Sequence, residues 1–360
     1  MKTYIVETED IRRNLETIRK KAGKAEIFAV LKGDGYGLGL STMAELCRSC
    51  GVRSFAVTEP ADVRRLRQTG QEGERILMLR PTCDREELKV LLEEDAICTV
   101  SGQHDAVILS GMARELGLRA KAHLKIDTGM GRYGFLPEET EKILSCYELD
   151  GVEICGLYTH FHSAFCNKKV TLAQLEKLQA VAAAIREAGR DPGMVHCANS
   201  AALLKMPETA MDAVRVGSAV LGRVAFRSGL RRVGYCQTAL EEIRWLPKGH
   251  TCGYGAAWKA KKPTQIGVVP VGWYHGYTTQ YGDDVFRVRD QLRKVASGLK
   301  GLLFPKRITV TVDGVKCRVL GHVGMLHTVV DITGKNFSTG APVVLDINPC
   351  RVRGMEIRFL

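Results

Sequence analysis

Over the first two-thirds of the chain, short apolar runs rich in β-branched residues alternate with stretches whose apolar residues recur every three or four positions. The runs fall at Glu26–Lys32, Ser54–Thr58, Arg75–Leu79, Ala96–Val100, Lys121–Asp127, Glu153–His160, Met194–Asn199 and Ala213–Val216. Helical spacing follows most of them, at Ser41–Cys50, Ala61–Thr69, Asp84–Glu94, Gln103–Leu116, Pro137–Leu149 and Thr171–Ala188, and precedes the first at Asp10–Ala22 through Ile11, Leu15 and Ile18. Eight strands alternating with helices at spacings of roughly 20 to 40 residues predict an α/β fold, a parallel (β/α)8 barrel, rather than an open doubly wound sheet. From about Tyr235 the rhythm changes to closely spaced β-runs at Gln237–Trp245, Thr264–Pro270, Arg307–Val312, Lys316–Leu320, Thr328–Ile332 and Val343–Ile347, with a hairpin signal at Val312-Asp313-Gly314-Val315. The expected division is a barrel over residues 1–233 and a smaller, mostly β domain over 234–360, which the first few residues can join. Within the second part, the Arg- and Lys-rich segment 283–305 predicts an inserted amphipathic helix through Val288, Leu292, Val295 and Leu299.

Composition adds exclusions rather than a function. With 360 residues, 45% hydrophobic and 26% charged, the chain reads as an ordinary soluble protein with ample core. No basic n-region precedes an apolar segment at Met1-Lys2-Thr3-Tyr4, and no run is long enough to cross a bilayer, so a cytoplasmic location without a membrane partner is expected. Twelve cysteines without a repeating spacing argue for reduced thiols; Cys47 and Cys50 form one CxxC with no second pair at zinc-ribbon spacing. His160-Phe161-His162 lacks a third ligand nearby, and no metal is expected. The net charge of +12 is concentrated in residues 223–262, where nine Lys/Arg face two Glu, but no stacking aromatics or recognition motif accompany them. Steering of an anionic ligand fits better than nucleic-acid binding.

The strand ends carry the chemistry, because a barrel of this kind works at the C-terminal ends of its strands. The first strand delivers Lys32 to a glycine-alternating turn, Gly33-Asp34-Gly35-Tyr36-Gly37-Leu38-Gly39, which lacks the GxGxxG dinucleotide spacing. A lysine amine that loses hydration there becomes a nucleophile or Schiff-base former. The fifth strand brings Lys125, Asp127 and Arg132, the sixth His160 and His162, the seventh Asn199 and Ser200, the eighth Arg215, Gly217 and Ser218. Ser200 with the N–H groups of Gly217 and Ser218 can cradle a phosphate. A reactive lysine, a phosphate cradle and an arginine at one barrel mouth together suggest pyridoxal 5'-phosphate.

The ordered set Ala29-Val30-Leu31-Lys32 through Tyr36-Gly37-Leu38-Gly39, Leu124-Lys125-Ile126-Asp127-Thr128-Gly129-Met130-Gly131-Arg132, Tyr158-Thr159-His160-Phe161, His196-Cys197-Ala198-Asn199-Ser200, Arg215-Val216-Gly217 and Gly253-Tyr254-Gly255 resembles the alanine racemase family of pyridoxal-phosphate enzymes over nearly its whole length. The resemblance implies a homodimeric amino-acid racemase with two catalytic bases, Lys32, which also anchors the cofactor, and Tyr254, which reaches into the partner subunit's site. It implies cofactor contacts at Lys32, Tyr36, His160, Asn199, Ser200, Arg215, Gly217 and Ser218, with Arg215 facing the pyridine nitrogen. Arg132 would meet the substrate, and Lys125 matches a lysine that is often carbamylated to orient that arginine. Two bases on opposite faces of Cα suit a racemase, provided both pKa values are pulled toward working pH.

Departures from the family pattern bear on the substrate. Gly272-Trp273-Tyr274-His275-Gly276 stands where Gly-Tyr-x-Asp-Gly is common, and Gly324-Met325-Leu326 where Cys-Met-Asp is common, leaving the backbone of Met325 to meet the substrate carboxylate. No tyrosine follows Tyr281, and Asp346-Ile347-Asn348-Pro349 occupies the region of a family tyrosine that narrows the pocket. These features resemble the racemase domain of the serine racemases of glycopeptide resistance, without their membrane part. The expected substrate is L- or D-alanine, serine or both, with Asn348 making the pocket roomier. A racemase for a larger or basic amino acid, or a cofactor carrier without turnover, remains the alternative.

Overall fold

The computed structural model describes residues 1–279, 288–303 and 308–360. The chain divides into two compact units, Thr8–Val233 and a second made of Met1–Glu7 with Gly234–Leu360. The N-terminal strand β1 (Thr3–Val6) belongs to the second unit, so the chain starts in one unit and builds the other before returning.

In the first unit, β2 (Glu26–Val30), β3 (Ser54–Val57), β4 (Arg75–Met78), β5 (Ile97–Val100), β6 (Ala120–Lys125), β7 (Val152–Tyr158), β8 (Met194–Asn199) and β9 (Ala213–Val216) close into a barrel, all pairs parallel. Each predicted strand is present to within two residues at either end. The short strands are mostly apolar because both faces are covered, one by the surrounding helices and the other by an interior that includes Phe28, Val30, Ala56, Leu77, Ile97 and Ala213. The helix Thr8–Ala22 buries the predicted Ile11, Leu15 and Ile18, together with Asn14. That buried asparagine is fully used: its Nδ2 donates to the carbonyls of Val220 and Arg231, and its Oδ1 accepts from Arg231 N–H. The span Pro137–Leu149 is shorter than predicted, a helix at Thr140–Ser145 followed by a 3-10 turn at Cys146–Glu148.

A buried ion pair ties the helix of the first β/α repeat, Leu40–Ser49, to the segment that enters β4. Arg48 grips Glu74 with Nε–Oε1 at 2.8 Å and Nη2–Oε2 at 3.0 Å, their side chains only 8% and 1% exposed, and the guanidinium lies 5.1 Å from the Phe55 ring centroid. Removing one partner leaves a desolvated charge, whereas removing both does not. Glu74→Ala is therefore expected to cost about 3–5 kcal/mol of barrel stability. The double variant Arg48→Met/Glu74→Leu should recover much of that loss in denaturant unfolding; equal loss in both would show that packing, not charge, is at stake.

In the second unit, β10 (Tyr235–Ala239), β11 (Glu242–Leu246), β12 (Thr251–Cys252), β13 (Trp258–Lys259), β14 (Thr264–Val269), β15 (Thr309–Val312), β16 (Val315–Arg318), β17 (Thr328–Asp331), β18 (Pro342–Leu345) and β19 (Glu356–Phe359) form three sheets. The largest has the order β16-β15-β18-β10-β1-β19; the others are β11-β14-β17 and β12-β13. The run predicted at Gln237–Trp245 is two strands in different sheets. At Leu240 and Glu241 the backbone donors switch from Ala341 O to Val268 O, which carries the chain across. The predicted hairpin joins β15 to β16, with Asp313 and Gly314 both at positive φ, as a type I′ turn demands. The inserted segment 283–305 lies partly outside the described residues; within them it forms the predicted helix, Val288–Leu303.

Candidate active site

A cavity of about 460 Å3 opens at the C-terminal ends of the barrel strands, lined by Lys32, Tyr36, Lys125, Arg132, His160, Asn199, Ser200, Arg215, Gly217 and Ser218 among others. The barrel thus brings together the candidates named from its strand ends except Asp127, whose carboxylate is taken up by the N–H groups of its own loop, and His162, which is exposed and bonds Ser163. Tyr254, Met325 and Asn348 belong to the other unit.

The glycine-alternating turn after β2 has a conformational reason. Gly33, Asp34, Gly35 and Tyr36 all lie in the left-handed region, with φ of 62°, 52°, 62° and 59°. Glycines at 33 and 35 relieve half of that strain, and Asp34 supports the rest by accepting from Leu40 N–H at 3.0 Å and from Arg65 at 3.1 Å. The result is that Lys32 and Tyr36, four residues apart, both face the cavity. The Tyr36 hydroxyl packs so closely on Gly217 that a Cβ there would collide with it. Ser200 Oγ accepts from the N–H groups of Gly217 at 3.1 Å and Ala219 at 3.2 Å. Asn199, not Ser200, caps the following helix, its Oδ1 accepting from Ala201 and Ala202. The end of β8 and the loop after β9 thereby form one hydroxyl- and N–H-rich cradle with Tyr36.

Arg215 is buried at the base of the cavity and has its orientation set three ways. It donates to Thr159 O and to His196 Nδ1, both at 2.6 Å, and its guanidinium lies 4.9 Å from the Tyr158 ring centroid. An arginine only donates, so His196 must accept at Nδ1 and carry its proton on Nε2, which then donates to His123 Nδ1 at 2.9 Å. Tyr158 and Phe28 stack on the two sides of the His196 ring, at 4.9 Å and 5.7 Å. Burial first, and the Arg215 charge second, depress His123 to about 3 and hold His196 well below the usual histidine value; the same two causes take His160 to about 3.

Neutral buried histidines make the fold sensitive to acid. Their folded pKa values lie below the unfolded value, so their contribution is complete above about pH 6.5 and is lost as pH falls toward 3. Each is expected to remove roughly 1 kcal/mol of stability per pH unit below about pH 6.5. Melting temperature should therefore fall steeply from about pH 6 to pH 4, and His123→Gln should flatten the fall; an unchanged slope would show that His123 is not a source of it.

On the other wall, Asp127 gathers the loop behind β6. Its carboxylate accepts from Gly129 N–H at 2.9 Å, Gly131 N–H at 2.8 Å and Arg132 N–H at 3.2 Å, which turns Arg132 toward the cavity. Lys125 is 3% exposed, with Nζ 5.1 Å from the Tyr133 ring centroid and 5.5 Å from that of Tyr158. Burial, then Arg132 and Arg215, lower its pKa to about 8.

Sequence reasoning passed over Thr58, Leu79, Arg80, Tyr133 and Tyr158, which also line the cavity. Thr58, Leu79 and Arg80 directly follow the ends of β3 and β4, so the rule that strand ends carry the site could have found them. Arg80 is held by a two-pronged contact with Glu87, a bond to Glu59 and another from Nε to Thr58 O. In the β unit, the unusual His275 repeats what an aspartate could do, accepting from Gly272 N–H at Nδ1, 3.1 Å away. Tyr254 stands 76% exposed in a tight turn between Gly253 and Gly255, both at positive φ.

Residues 6–224 match the profile of the alanine racemase N-terminal domain and residues 233–350 that of the C-terminal domain. The chain belongs to the alanine racemase family. It is an isomerase, an amino-acid racemase by its relatives. The alanine racemase of Methanococcus maripaludis is 28% identical over 351 residues, covering 94% of this chain and 87% of its own. The alanine racemase from D-cycloserine producing Streptomyces lavendulae superposes with a TM-score of 0.83 at 25% identity, covering 100% of this chain and 97% of its own. A histidine racemase from Leuconostoc mesenteroides subsp. sake shares the fold, with a TM-score of 0.79, 20% identity and coverage of 100% and 98%.

Proposed function

We propose that the chain is a homodimeric, pyridoxal-phosphate-dependent racemase of alanine, serine or both. The observation that carries this reading is the gathering of Lys32, Tyr36, Ser200, Arg215 and Gly217 on one cavity. Four cationic side chains, Lys32, Lys125, Arg132 and Arg215, line it together with the carboxylate-paired Arg80, and among the described residues no Asp or Glu does so. Such a lining suits a phosphorylated, phenolate-bearing cofactor and a substrate carboxylate. Tyr36, Ser200 and the Gly217–Ser218 backbone would hold the phosphate end, the missing Cβ at Gly217 being what lets the Tyr36 hydroxyl sit there. His160 and Asn199 would flank the ring.

When bound, pyridoxal phosphate supplies the electron sink that stabilises a negative charge at Cα. The chain supplies the rest. Lys32 anchors the cofactor and moves the Cα proton on one face; Tyr254 of the partner subunit moves it on the other. The exposure of Tyr254 in a single chain agrees with a role toward a second copy. Arg215, pinned by His196 and Thr159, offers only N–H groups, so it would give no proton to a pyridine nitrogen placed against it and would disfavour competing reactions that need a stronger sink. Arg132 binds the substrate carboxylate, with the Met325 backbone as a second contact. Lys125, with its lowered pKa and cationic neighbours, is a suitable amine to capture carbon dioxide as a carbamate, whose negative charge Arg132 and Arg215 would stabilise.

The lining also bears on substrate. A basic amino acid would bring a cationic side chain into a cavity to which the described residues offer no carboxylate, which favours a small neutral substrate. Asn348 has its Oδ1 engaged by Cys350 N–H at 3.1 Å, which fixes the side chain as the cap of a short turn. In our reading its smaller volume leaves space for a hydroxymethyl group. Racemisation rates on a panel of alanine, serine, histidine and lysine test this: alanine and serine should both turn over, and Asn348→Tyr should lower the serine rate selectively. Preference for lysine or histidine would refute the substrate assignment, and cofactor binding without Cα–H exchange on any amino acid would make the chain a carrier.

A further inference from the structure

The helix Val288–Leu303 plays no part in the cavity, and its surface is unlike that of any barrel helix. From Gln291 to Leu299 every side chain is exposed, including Leu292 at 63%, Val295 at 59% and Leu299 at 59%. These three residues, spaced by three and then four positions, form a single apolar stripe. Between Gln291 and Leu299 the exposed charged residues are Arg293 and Lys294, with no Asp or Glu in that span, so a basic flank accompanies the stripe. Gly298 and Gly301 sit within it with nothing close to where a Cβ would be, so neither serves a packing contact. Each weakens an isolated helix in water.

We propose that this helix is an in-plane attachment site for an anionic lipid surface. Charge argues against a second copy of the same helix, which would bring a second set of Arg293 and Lys294 against the first. Shape argues against a rigid protein groove, which rewards interlocking side chains, whereas the glycines here leave gaps in the surface. A fluid headgroup boundary accepts an uneven apolar stripe, attracts the flanking Lys and Arg electrostatically, and stabilises a helix that is marginal in water. Lying on a bilayer needs no spanning segment, and none of the described helices is long and apolar enough to cross one.

Flotation of the full-length protein with lipid vesicles tests the assignment. The protein should float with phosphatidylcholine vesicles containing phosphatidylglycerol, stay behind with pure phosphatidylcholine, and be released by high salt. Leu292→Ser/Val295→Ser/Leu299→Ser and Arg293→Gln/Lys294→Gln should each reduce the floated fraction several-fold while racemase turnover in solution is unchanged. Failure of the wild-type protein to float, or flotation indifferent to lipid charge, overturns the proposal. So does a fall in solution mass caused by the serine variant, because the stripe would then seat a second copy.

Discussion

Lys32→Ala is expected to reduce racemisation by at least roughly 10⁴-fold, because the change removes both the covalent anchor of the cofactor and one of the two proton-transferring groups. The amine lies at the end of a buried strand, just before the left-handed turn at Gly33–Tyr36, and lines a cavity shared with Lys125, Arg132 and Arg215. Alanine at this position fits the end of β2 without disturbing the turn, so the variant should fold with an unchanged melting temperature in the absence of cofactor. Three readings on one sample separate the possibilities: turnover, the absorbance of lysine-bound cofactor, and thermal stability. Loss of all catalysis together with loss of that absorbance is the expected pattern. Retained turnover would sink the assignment, and retained absorbance would move the anchor to another lysine, Lys125 being the nearest choice on the cavity.

Tyr254→Phe is expected to lower kcat/KM by about 10²–10⁴-fold, the usual range for one lost acid–base group. The loss must be equal in the two directions, since enantiomers have equal free energy and the ratio of the two kcat/KM values cannot change. The asymmetry therefore has to be sought in isotope exchange. In deuterated water, one enantiomer should still exchange its Cα hydrogen without inversion, through Lys32, while the other should exchange only at the residual racemisation rate. Phenylalanine keeps the ring, and the strained backbone belongs to the flanking glycines, so folding is not at risk. Equal exchange from both enantiomers would mean that a single base serves both faces. If the partner subunit supplies Tyr254, mixing Lys32→Ala and Tyr254→Phe subunits should restore activity to hybrid dimers that neither parent shows.

Much of the barrel was legible because its signals are local. A strand covered on both faces is mostly apolar along its length, and a surface helix repeats its apolar residues every three or four positions. Glu26–Val30 and Thr8–Ala22 announce themselves on that basis alone. The β unit was harder. Gln237–Trp245 looks like one strand because nothing between Ala239 and Glu242 breaks the pattern, yet the chain changes sheets there by exchanging partners remote in sequence. β1 offers only four residues, too few for a periodicity, and finds its place through pairing with β10 and β19.

The site divides along the same line. The sequence by itself determined which side chains stand at or just beyond the ends of the strands, and so directed Lys32, Lys125, Arg132, Ser200 and Arg215 to the barrel mouth, since strand period and barrel direction are short-range properties. Only the tertiary structure decided how those groups are held. Arg215, His196 and His123 form one donor chain because the β8–β9 and β6–β7–β8 registers bring them together, with His123 and His196 separated by 73 residues. Tyr36 meets Gly217 through the closure of β2 on β9, and Asp127 collects the loop that turns Arg132 inward. A hydrogen bond between distant residues depends on register and rotamer, which the packing of the whole barrel sets; no window of the sequence contains that information.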